Sequence, residues 1–238
     1  MGLFDKKYCD ICGEKIGLLG NRKLEDGNLC KECAKKLSPF FSERRHSTVS
    51  EIQEQLDYRE ENKKKVADFN PTRVIGGNMN IYIDEDKHQW IITRMRKWRD
   101  ENPDVLDYSQ VTGCTLDIDE NKREIYRETS DGKQESYHPP RYEYSYDFHM
   151  TIHVNSPWFD QITFQLNDDE IRQRGGAAYR EMQEKADEIK NILMDARNTV
   201  REAAFENNAP KVAVVCPHCH ATTIPDANNC CEYCGGAI

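Results

Sequence analysis

Between residues 142 and 154 every even position is aromatic or aliphatic: Tyr142, Tyr144, Tyr146, Phe148, Met150, Ile152 and Val154. Every odd position (Glu143, Ser145, Asp147, His149, Thr151, His153) is polar. A period of two held this long demands a strand with one buried face and one wet face. Asn155, Ser156 and Pro157 then supply turn residues, and Ile162, Phe164 and Leu166 resume the period. That predicts a hairpin at the heart of a central β domain. Shorter strands are expected at 79–83, 88–93, 111–119 and 123–128, with turns at 84–87 and 119–122. Gly113 falls where Val111 drops out of phase with Cys114, Leu116 and Ile118, which predicts a β-bulge.

Eight of the ten cysteines lie in two quartets outside this domain: Cys9, Cys12, Cys30 and Cys33, then Cys216, Cys219, Cys231 and Cys234. Each quartet is two C-x2-C pairs, separated by seventeen residues in the first and eleven in the second. A C-x2-C knuckle lets two thiolates reach one ion from a tight turn, and four thiolates complete a tetrahedral zinc shell with no open position. Two structural Zn2+ ions are therefore expected. Gly13 and Gly235, each just after a knuckle, suit backbone of positive φ. Cys230 adjoins Cys231, but only Cys231 keeps the two-residue spacing to Cys234, so Cys230 is read as spare. His218 and His220 are weaker competitors for that site. Ten cysteines held as ligands or thiols fit a reducing, cytoplasmic setting.

Two helices follow from pattern. Thr48 and Glu51 form a capping box, Ile52, Leu56, Val66 and Phe69 give a thin apolar stripe, and Pro71 ends the run. So charged a helix is expected on a domain surface or as a linker. The second covers 177–208, where Met182, Ala186, Ile189, Leu193, Ala196, Val200 and Ala203 form an a/d seam. Its first half is expected to cover the sheet, leaving the rest to meet a second helix.

The net charge is −9, and no stretch approaches the ~20 apolar residues of a membrane span. General nucleic-acid affinity is disfavoured. The charge is uneven, however: residues 1–40 hold eight Lys/Arg against six Asp/Glu, while 71–166 hold eleven against seventeen. Catalytic motifs are missing. His149-x3-His153 lacks the glutamate of a zinc protease and lies on a strand, and Gly76-Gly77 and Gly175-Gly176 are too sparse to cradle phosphate. Cys114 alternates with Leu116 and Ile118 and reads as a buried small hydrophobe. Arg94, Arg96, Lys97 and Arg99 interleave with Trp90 and Trp98, a pattern that grips phosphate and stacks on bases, yet Asp100, Glu101, Asp104 and Asp107 follow and can neutralise it.

Three resemblances refine this reading. CDICGEKIGLLGNRKLEDGNLCKECAKKLSPFF resembles a four-cysteine N-terminal domain of uncharacterised bacterial proteins, which implies zinc and no activity. VLDYSQVTGCTLDID (105–119) resembles strands of bacterial pleckstrin-homology-like domains, which implies phosphoinositide binding, oligomerisation or protein docking. Cys216-Pro-His-Cys219 with Cys231-Glu-Tyr-Cys234-Gly resembles short bacterial zinc ribbons. The expected fold is α+β: a central antiparallel barrel or sandwich, pleckstrin-like, with a long C-terminal helix and two flanking zinc modules. The expected domains are 1–40 (zinc), 41–71 (helical linker), 72–208 (β domain with helix) and 209–238 (ribbon). The expected function is a non-catalytic scaffold or adaptor that docks protein partners, homo-oligomers included. The alternative is nucleic-acid binding through the ribbons.

Overall fold

The computed structural model describes residues 6–77, 79–208, 213–225 and 230–238, apart from the side chains of 203–208. The chain divides into two compact units, Met1–Asn198 and Thr199–Ile238.

The first unit opens with two small hairpins. β1 (Lys7–Tyr8) pairs with β2 (Lys15–Ile16), and β3 (Arg22–Lys23) pairs with β4 (Asn28–Leu29). The short helix α1 (Lys31–Ala34) follows. So little chain cannot close a core alone. Cys9, Ile16, Leu24, Leu29, Cys33 and Leu37 complete theirs with Ile52 and Leu56 from the next helix, α2 (Val49–Asp68).

α2 starts where it does for two reasons. Thr48 and Glu51 form the expected reciprocal capping box. Across from them, Asp26 Oδ1 accepts the backbone N–H of Val49 at 2.8 Å, satisfying a further donor of the first turn. Gly27 comes so close that an added Cβ would lie 2.5 Å from a Val49 methyl and 2.8 Å from an Asp10 oxygen. Helix and knuckle are stapled together.

The middle of α2 buries polar side chains, which a hydrophobicity stripe cannot reveal. Arg59 Nη1 donates to Asp104 Oδ1 at 2.7 Å, and Ser38 Oγ donates to the other oxygen at 2.8 Å. Asn62 Nδ2 donates to Asn102 Oδ1 (2.8 Å) and Pro103 O (2.7 Å), while its Oδ1 accepts Val105 N–H at 3.0 Å. At its far end Val66 joins Phe69, Ile91, Val105 and Trp98, the last on the short helix α3 (Trp98–Glu101). One face of the helix packs on the knuckle module at its start and on a β-sheet at its end, while most of its other positions are exposed.

That sheet is antiparallel, in the order β5 (Arg73–Ile75), β6 (Asn80–Asp84), β7 (Gln89–Thr93), β8 (Leu106–Asp107). Its central strands are buried on both faces. Tyr82 pairs with Ile91 on the α2 side, whereas the pairs Ile81–Ile92 and Ile83–Trp90 project oppositely. The second sheet runs β11 (Gln161–Gln165), β10 (Gln134–Val154), β9 (Val111–Glu128). The two sheets share no ladder and no closed barrel forms among the described residues, so the barrel alternative is not realised.

The expected alternation holds in β10 from Tyr146 on, where Tyr146, Phe148, Met150, Ile152 and Val154 are buried; Tyr142 and Tyr144, also expected on the buried face, are exposed at 40% and 37%. The bulge also holds: Gly113 faces His153 and Val111 faces Val154, leaving Thr112 extra. The expected turn at 119–122 does not form. Asn121 and Lys122 pair with Ser145 and Tyr144 inside one continuous β9, because the long partner strand overrides a weak local turn signal. The true turn lies at 129–133, closed by Thr129 N–H to Lys133 O at 2.8 Å with Gly132 at φ 75°.

α4 (Ala177–Asn208) lays Tyr179, Met182, Ala186, Ile189 and Leu193 into buried positions, and Tyr179 meets Tyr146 and Phe148 edge-on. Burial fades beyond Leu193, with Ala196 and Val200 half-exposed. No described helix is long and apolar enough to cross a membrane. Among the described residues of the second unit, β12 (Val214–Val215) pairs with β13 (Thr222–Thr223) in a small hairpin.

Candidate metal centres

Three of the four knuckles share one hydrogen-bond design. At Cys9, the residue four places on, Gly13, donates its N–H to Cys9 O at 2.8 Å, and Cys9 N–H reaches Glu14 O at 2.9 Å. Cys216 repeats it with His220 (2.9 Å) and Ala221 (2.9 Å), and Cys231 repeats it with Gly235 (2.8 Å) and Gly236 (2.8 Å). The donor is left-handed each time: φ is 74° at Gly13, 58° at His220 and 70° at Gly235. Glycine takes that conformation freely and histidine does so under strain. The role of His220 is thus conformational, and aligning the knuckles by their first cysteine would have exposed it. The fourth knuckle is helical, with the Cys30 sulfur capping α1 by accepting Cys33 N–H at 3.3 Å.

These turns gather the sulfurs. The Sγ atoms of Cys9, Cys12, Cys30 and Cys33 all lie within 4.8 Å of one another, as do those of Cys216, Cys219, Cys231 and Cys234. None of the ten cysteines is in a disulfide. Cys12–Cys30 are 3.7 Å apart, and Cys216–Cys234 and Cys219–Cys231 are each 3.6 Å apart. A tetrahedral ion with Zn–S bonds of about 2.3 Å sets sulfurs about 3.8 Å apart. The donor sets fit such an ion, and both could hold metal. The second set uses Cys231 and excludes Cys230, His218 and His220.

Electrostatics point the same way. Burial opposes a thiolate at Cys9, but N–H donors from Cys12, Cys30 and Ile11 outweigh it and draw the thiol down to about 7. Burial, then the neighbouring thiols of Cys12 and Cys30, push Cys33 upward. At Cys216 burial is likewise outweighed, by the N–H groups of Cys219 and His218, and the thiol falls to about 6. The Gly236 N–H favours a Cys234 thiolate, yet Cys219 and the other neighbouring thiols hold it up at about 12. Each set thus draws one thiol down and pushes two others up. A bound dication removes that conflict.

The other candidates disperse. Cys114 is buried on β9, and burial pushes its thiol up to about 11. His149 Nε2 lies 3.5 Å from Asp119 on the outer face of the hairpin. Trp90 and Trp98 are 0% and 4% exposed, so neither can stack on a base. Arg99 covers the Trp98 ring at 4.1 Å. Asp104 serves Arg59, and no ion pair joins Asp100, Glu101 or Asp107 to the nearby cations among the described residues. A cavity of about 540 Å³ does open beside Leu37, Phe40, Ile92, Arg94 and Phe164, and nothing in the sequence announced it.

Residues 7–55 match a domain of unknown function, DUF4428. The match takes in the whole first cysteine set and the opening turns of α2. No curated protein and no solved structure matches the chain.

Proposed function

We propose that this chain is a non-catalytic, zinc-stabilised scaffold that docks protein partners. The observation that carries the reading is the closure of both cysteine sets. Four sulfurs within 4.8 Å of one another fill a tetrahedron and leave no position for a substrate or an activated water. Cys9, Cys12, Cys30 and Cys33 hold one Zn2+, and Cys216, Cys219, Cys231 and Cys234 hold the other. Zinc supplies folding free energy that these small segments lack.

Between the two cysteine sets in sequence, the chain forms a pleckstrin-like sandwich. In its support, four antiparallel strands are followed by three more and then by a helix on the buried face of β10. The half-exposed Ala196 and Val200 continue the α4 seam and offer a helix-pairing surface, with a second copy as one occupant. Ten cysteines outside disulfides fit the cytoplasm. Both tryptophans beside the basic cluster are buried, which withdraws base stacking there; nucleic-acid binding through the ribbons stands as the alternative.

Native mass spectrometry of protein purified without chelator tests the reading. Two zinc ions per chain are expected, and the same spectrum reports monomer or dimer. One ion, or none, would assign a cysteine set to redox chemistry instead. A salt-sensitive mobility shift with RNA or DNA would favour the alternative.

A further inference from the structure

The turn between β2 and β3 carries Leu18 at 84% and Leu19 at 89% exposure, the two most exposed large apolar side chains among the described residues. Gly20 N–H donates to Gly17 O at 3.0 Å, closing a tight turn with the leucines at its two central positions. Such positions ordinarily take Gly, Asn, Asp or Ser. Two leucines there defy the local preference and add nothing to the module's own core, which Ile16, Leu24, Leu29, Leu37, Ile52 and Leu56 already fill. Single exposed leucines are ordinary, but an adjacent pair at a tip is a different matter.

Cations surround this tip. Arg22 Nη1 donates to Leu19 O at 3.4 Å, which holds the guanidinium against the turn. Arg44 Nη1 donates to Lys23 O at 2.8 Å and so joins β3 from the other side. Burial, and then the like charges of Arg22 and Arg45, hold Arg44 below its usual range. On the adjoining hairpin Lys15 pairs with Tyr8, and Lys7 pairs with Ile16. None of Lys7, Lys15, Arg22, Lys23, Arg44 and Arg45 has an ion-pair partner among the described residues. Acidic residues are interspersed: Glu14 adjoins Lys15, Glu25 lies two residues from Lys23, and Glu43 adjoins Arg44. In a chain of net charge −9, this cluster of cations without ion-pair partners offers a match to an anionic surface.

We infer that this turn is a membrane-contact element that seats on an anionic bilayer surface. Leu18 and Leu19 enter the boundary between headgroups and acyl chains. The surrounding Arg and Lys side chains meet lipid phosphates and carboxylates, with exposed Tyr8 at headgroup depth. A convex apolar tip inside a basic collar suits a deformable anionic surface; a protein partner would need a shaped pocket ringed by acids. Attachment is reversible, since two leucines and a few cations are a weak anchor. The inference goes beyond scaffold function and stands whether or not protein partners bind.

The test is co-sedimentation of the zinc-loaded full chain with phosphatidylcholine vesicles, with and without phosphatidylserine. Binding to the phosphatidylserine vesicles alone is expected, and it weakens as salt rises. Leu18→Ser with Leu19→Ser lowers partition at least about tenfold, the scale of apolar area withdrawn from water. Arg22→Gln and Lys23→Gln each lower it about fivefold. These side chains are surface-lying, so zinc content and thermal transition stay at wild-type values, which separates lost binding from lost folding. A protein that stays in the supernatant with anionic vesicles at low salt overturns the inference, as does sedimentation unchanged by the leucine substitutions. Leucine-dependent capture by polyglutamate without vesicle binding assigns the patch to an acidic protein and also overturns it.

Discussion

Arg59 on α2 and Asp104, just after α3, meet at 2.7 Å with their side chains 6% and 0% exposed, and Ser38 of the knuckle module holds the second carboxylate oxygen. Burial raises the Asp104 carboxyl, with Arg59 and Ser38 working against that rise. Arg59→Met leaves a buried, half-satisfied carboxylate, and a loss of about 3–5 kcal/mol is expected in thermal or denaturant unfolding. The sign of the pH effect follows. A carboxyl held above its ordinary value binds protons more tightly folded than unfolded, so its contribution falls as pH rises through that window. The gap between variant and wild type therefore narrows as pH falls and Asp104 protonates. A gap independent of pH would mean that lost packing, and not stranded charge, dominates.

Gly27→Ala forces a methyl to 2.5 Å from Val49 Cγ2 and 2.8 Å from Asp10 Oδ2. About 1–3 kcal/mol of destabilisation is expected from such overpacking. Adding Val49→Ala restores part of it, because the nearest obstacle is that side chain. Unfolding of the single and double variants checks both points.

His220→Gly removes strain from the only knuckle that sets a side chain at positive φ. About 1 kcal/mol of stabilisation is expected in the C-terminal module, read as greater resistance of its metal to a competing chelator. Gly13→Ala should act oppositely at the first site. Equal chelator resistance in His220→Gly and wild type would show that the left-handed residue carries little strain.

Chelation should change thiol reactivity selectively. In zinc-loaded protein the eight clustered cysteines are expected to alkylate slowly, and metal removal makes them fast. Cys114 should stay slow while the β domain remains folded, since burial holds its thiol up at about 11. Mass-spectrometric mapping of the labelled sites distinguishes these classes.

Much of this molecule could be read from residues alone, and the failures share a cause. Tyr146 to Val154 announce themselves because burial alternates with the pleat, and the cysteine quartets because thiolate geometry fixes their spacing. Local signals misled where partners lay far off in sequence. Asn121 and Lys122 look like a turn until Ser145 and Tyr144 are set opposite them. Arg59 and Asn62 look like solvated positions of a charged helix until Asn102, Pro103 and Asp104 close over them. Buried polar networks follow from contact partners, and a hydropathy pattern contains no trace of them. In the basic cluster, Asp100, Glu101 and Asp107 look placed to neutralise Arg94, Arg96, Lys97 and Arg99, yet none of these acids forms an ion pair among the described residues, and Trp90 and Trp98 are core residues.

The staple between Asp26, Gly27 and the first turn of α2 bears on what can be transplanted. A cassette passed between genes must carry its own foundations, and this knuckle borrows Ile52 and Leu56 from a helix that then runs on into the β-sheet. A fragment cut directly after the fourth cysteine would leave Leu24 and Leu29 without a floor. A transplant that preserves the fold has to carry the helix along, so the structural unit here is a knuckle with its helix attached.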